Sequence, residues 1–74
     1  MTTRQSELFQ QATECDRRVH LVSDPGKKEI YRRLRDMWIW LACERSRLSS
    51  RAVAELAATI GDMQSVVDKS ETIH

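Results

Sequence analysis

Ser23-Asp24-Pro25-Gly26 interrupts two long helical patterns in this 74-residue chain and decides how they are joined. Pro25 disfavours helical geometry at Asp24, and a non-helical Asp with a free carboxylate is what a helix N-cap requires. Proline at the first helical position sacrifices no hydrogen bond, because that N–H has no partner inside the helix. One helix therefore ends near Val22 and the next begins at Pro25. A link this short brings the two helices back antiparallel, as a hairpin.

Upstream of the turn, Leu8, Ala12, Cys15, Val19 and Val22 step by four, three, four and three. At about 100° per residue they fall within about 80° of arc, a narrow seam of the coiled-coil kind. Phe9, His20 and Leu21 lie off the seam, where they can meet a turn or a partner. Downstream, Ile30, Leu34, Met37 and Leu41 form a second stripe, flanked by Tyr31, Trp38 and Ala42. Its last part, Met37-Trp38-Ile39-Trp40-Leu41-Ala42-Cys43, is apolar all round, with Ile39, Trp40 and Cys43 on the far side. A helix that is apolar on every face is buried on every face. One neighbouring helix covers only one of them.

A third helix follows. Ser49 reads as its N-cap, with Leu48 before the cap and Val53 at the fourth helical position, the placement of a hydrophobic staple. Val53, Leu56, Ala57, Ile60, Met63 and Val67 continue as its stripe, and Gly61 is a candidate early end, since glycine is costly inside a helix. The reading is all-α: helices at about 3–22, 25–46 and 49–68, a frayed tail at 69–74, and a single domain. No strand pattern or internal repeat competes.

From Cys15 to Glu44, the ordered set Cys15, Leu21-Val22, Ser23-Asp24-Pro25, Lys28, Leu34, Met37-Trp38 and Leu41-Ala42 resembles a group of short helical-hairpin proteins of alphaproteobacteria. The resemblance implies the hairpin. It carries no activity.

Composition narrows the function classes. Twelve basic and eleven acidic residues nearly cancel, so bulk charge points to neither nucleic acid nor a membrane surface. The longest apolar run is far short of the roughly 20 residues a membrane span needs. The N-terminal residues lack the apolar segment of a signal peptide, and two cysteines without an export signal fit free thiols in a cytoplasmic setting.

Catalytic and metal chemistry find little support. Cys15, His20, Cys43 and His74 are the soft ligands, and none are paired as Cys-x-x-Cys or His-x-x-x-His. In the hairpin, Cys43 lies roughly 16 Å along the helix from the residue opposite Cys15, beyond the reach of about 7 Å for a disulfide. Ser23 and Asp24 beside His20 are turn and capping residues, with no pocket or oxyanion hole implied. No enzymatic activity, cofactor or metal is expected. Residues 49–61 look like the opening of a helix-turn-helix, but the following Asp62-Met63-Gln64-Ser65-Val66-Val67-Asp68 has no Arg or Asn to read bases.

Two readings compete for function. In the first, a chain too short to hide its apolar second helix self-associates, with Trp38, Ile39, Trp40 and Cys43 at the interface of a helical-bundle homodimer. An unidentified protein partner is the variant of this reading. In the second, Lys28, Arg32 and Arg35, stepping by four and three, contact phosphate as a weak nucleic-acid-binding stripe. A near-neutral protein with so few cations binds weakly, so nucleic acid is not the expected partner.

Overall fold

The computed structural model describes residues 4–72, with side chains through residue 69. Among them the chain is all-α: α1 spans Gln5–Leu21, α2 Pro25–Glu44 and α3 Ser50–Thr72, with a short 3-10 turn at Arg45–Arg47. The described residues contain no strand.

The helix starts follow their capping chemistry. The Asp24 carboxylate accepts the Lys27 backbone N–H at 2.9 Å, with Pro25 opening α2. Ser49 Oγ accepts the Ala52 N–H at 3.1 Å, and Val53 N–H donates to the Ser49 carbonyl at 3.0 Å. Leu48 packs partly buried against a core that contains Val53, which completes the staple. The hairpin is also tied at both ends. Lys28 Nζ donates to the Val19 carbonyl at 2.8 Å near the turn, and Gln5 Nε2 donates to the Ala42 carbonyl at 3.0 Å at the open end. Both carbonyls lie in the last turn of their helix, where backbone acceptors run out of partners.

Burial on α1 follows the seam: Leu8, Ala12, Cys15, Val19 and Val22 are all buried. On α2 the buried set is Tyr31, Leu34, Trp38, Leu41 and Ala42, while Ile30 and Met37 are exposed. The stripe is thus rotated toward its aromatic flank. The reason lies on α3, which supplies acceptors for both aromatic polar tips. Tyr31 OH donates to Asp68 Oδ1 at 2.5 Å, and Trp38 Nε1 donates to Gln64 Oε1 at 3.1 Å. With those partners the large rings can be buried without stranding a polar atom.

α3 corrects two expectations. It runs through Gly61 without a break and continues past residue 68 to Thr72. The helical cost of glycine, about 1 kcal/mol, is offset by the bonds that Gln64 and Asp68 make beyond it. Residues 69–72 therefore belong to the helix, and the rest of the expected tail lies outside the described residues. Met63, expected on the stripe, is exposed, and Gln64 takes the buried place beside it.

Candidate protein-interaction surface

The four residues expected at an interface do not share one environment. Trp38 is only 4% exposed and belongs to the core of the single chain. Its assignment to an interface is corrected, because α3 packs on the side of α2 that carries it. Trp40 lies about 200° further round the helix. It is 51% exposed, Ile39 is 38% exposed, and Cys43 is also exposed. Neither α1 nor α3 covers this side. The far face of α2 that needed a cover within the sequence pattern has none among the described residues.

Next to that face runs a groove between α1 and α2. Phe9, Ala12, Thr13 and Asp16 line it from α1, and Arg35 and Ile39 from α2, enclosing an open space of about 250 Å³. Phe9, off the α1 seam, is 41% exposed here. Arg35 forms one polar end. Its Nη1 donates to Asp16 Oδ1 at 2.8 Å, and its Nε and Nη2 each reach Asp36 Oδ1 at 3.2 Å. The bond to Asp16 raises the Arg35 pKa, Asp36 adds to the rise, and partial desolvation opposes it. The result is a groove with Phe9 and Ile39 as its apolar side chains and a charged margin at Arg35 and Asp16. Sequence reasoning missed the groove, although Phe9 straying from its seam was the available signal.

The basic stripe is already engaged within the chain. Lys28 holds the Val19 carbonyl, Arg32 Nη1 pairs with Glu29 at 3.0 Å, and Arg35 is bound to two carboxylates. Phosphate contact at any of them would compete with an existing partner for the same cation.

Cys15 is fully buried, and its Sγ donates to Gln64 Oε1 at 3.3 Å. Burial pushes its thiol from an ordinary 9.0 up to about 11, against the opposing pull of Arg18. Both cysteines are free. His20 is exposed, 3.7 Å from Asp16, and His74 lies outside the described residues. Asp24 is occupied in capping α2. Among the described residues no cluster of three or more His, Cys, Asp or Glu side chains could hold a metal, and no helix is long and apolar enough to cross a membrane.

No known protein family, curated protein or solved structure matches this chain.

Proposed function

We propose that the chain is a small cytoplasmic self-association module, a homodimer built on the uncovered face of α2 and the groove beside it. The observation that carries this reading is Trp40, half exposed beside Ile39 and Cys43, while Trp38, Leu41 and Ala42 of the same segment are buried. Ile39 adjoins Trp40 in the chain and lines the groove with the exposed Phe9, and exposed apolar surface of this kind marks association sites.

A twofold axis makes the surface self-complementary, because each residue i that meets j is matched by j meeting i. With α2 antiparallel to its copy, Trp40 lies opposite Cys43 of the partner subunit, apolar against apolar. Aligning Trp40 with its own copy would instead set Asp36 against Glu44 of the partner subunit, a repulsive pair.

Sedimentation velocity across a micromolar concentration series tests the proposal. The wild-type chain shifts from monomer to dimer, and Trp40→Ala stays monomeric while remaining helical. A wild-type chain that sediments as a monomer throughout the series overturns it.

A further inference from the structure

α3 is held to the hairpin by two different kinds of contact, and Gly61 divides them. Before Gly61, Val53 and Ile60 are buried, with Leu56 and Ala57 packed partly against the same core. After it, Met63 and Val66 are exposed and Val67 is only partly buried. Val67 is the apolar side chain of this half packed against the core, and the rest of its docking is polar. Gln64 Oε1 accepts from Trp38 Nε1 and Cys15 Sγ, and Asp68 accepts from Tyr31 OH and from Arg18 Nη1 at 3.1 Å. Nothing lies within 4 Å of where a Gly61 side chain would begin, so residue 61 itself adds no side-chain contact at the helix's weakest position.

From this division we infer that the part of α3 beyond Gly61 is a latch. It opens as its own unit, with Gly61 as hinge, while the hairpin and the first half of α3 stay folded. Segments with few buried apolar contacts open at lower free energy than the core they rest on. The exchange is chemically balanced: water replaces each partner lost by Gln64 and Asp68, so opening strands no charge. Opening uncovers Tyr31, Trp38 and the otherwise inaccessible Cys15. The inference stands independently of the dimer.

Cys15 reports on it directly. In a Cys43→Ser background, labelling by an aromatic disulfide reagent is followed at reagent concentrations where the rate scales with reagent. The latch predicts that Cys15 reacts through an opening whose urea dependence is clearly weaker than that of global unfolding, since less surface is exposed. Asp68→Asn, which weakens charge-assisted bonds, speeds labelling about tenfold or more. Gly61→Ala, which stiffens the hinge, slows it about fivefold. Val53→Ala, in the half that stays docked, lowers the global urea midpoint without changing the native labelling rate. The inference is overturned if Cys15 labels with the urea dependence of global unfolding and Val53→Ala accelerates it in step with the lost stability.

Discussion

Trp38 and Trp40 stand two residues apart on α2 and meet opposite surroundings. Trp38 points between α1 and α3, with its ring covered and its N–H held by Gln64. Trp40 points away from both, beside an exposed Ile39 and Cys43. Composition cannot separate them, since both are the same residue in the same apolar run. What separates them is the third helix, which can reach only one side of α2. The comparison shows where the fold has used its apolar surface and where some of it stays exposed.

The sharpest way to break the comparison is truncation. Trp38→Ala removes a buried ring and leaves Gln64 with one donor fewer, costing about 3–5 kcal/mol in urea unfolding. Trp40→Ala, measured at concentrations below dimer formation, costs under about 1 kcal/mol. Equal losses at the two positions would dissolve the distinction between an inner and an outer tryptophan.

Alkaline titration probes the inner side again, with a smaller effect. The buried Cys15 thiol keeps its proton up to about pH 11, whereas an unfolded thiol releases it near 9.0. Above the lower value the unfolded state holds fewer protons, so stability falls as pH rises through this window. The full loss is about 2–3 kcal/mol, complete only above the folded value. Cys15→Ala should lack this component of the alkaline drop. If the variant and the parent lose stability identically between these values, Cys15 is not shielded as described.

The smallest effect sits at the turn, on a residue that the rival reading places outward. Lys28→Met keeps the aliphatic stem but removes the bond to the Val19 carbonyl, and costs about 1 kcal/mol in thermal or urea unfolding. No change in stability would return Lys28 to the solvent as a free cation.

Much of the fold was legible because it rests on local chemistry. Asp24-Pro25 and Ser49 announce helix starts through their own side chains, and the α1 seam repeats closely enough to name each of its buried residues. The α2 stripe was read one flank away from its true centre. Periodicity weighs Ile30 and Met37 above Tyr31, and it cannot see that Asp68, 37 positions later, waits for the tyrosine hydroxyl. The same blindness hid Gln64, a polar residue that periodicity assigns to the surface. For the candidate surface, the exposed trio of Ile39, Trp40 and Cys43 was visible as excess apolar character, but Trp38 could be removed from it only once α3 had a place. Gly61 was misjudged because helix propensity is local and the bonds beyond it are not.

The side-chain bonds at the two ends of the hairpin have a consequence for alignment. Leu8, Cys15 and Val22 recur every seven residues, as do Ala12 and Val19, so the seam of α1 nearly repeats itself under a two-turn slide. Apolar surface alone distinguishes poorly between the correct setting and one displaced along the axis. Lys28 on Val19 and Gln5 on Ala42 act as a pair of locating pins, one at each end of the rod. A shift of even one helical turn, about 5.4 Å, withdraws both pins at once. The greasy seam provides adhesion, and the short link with its two polar contacts provides the ruler.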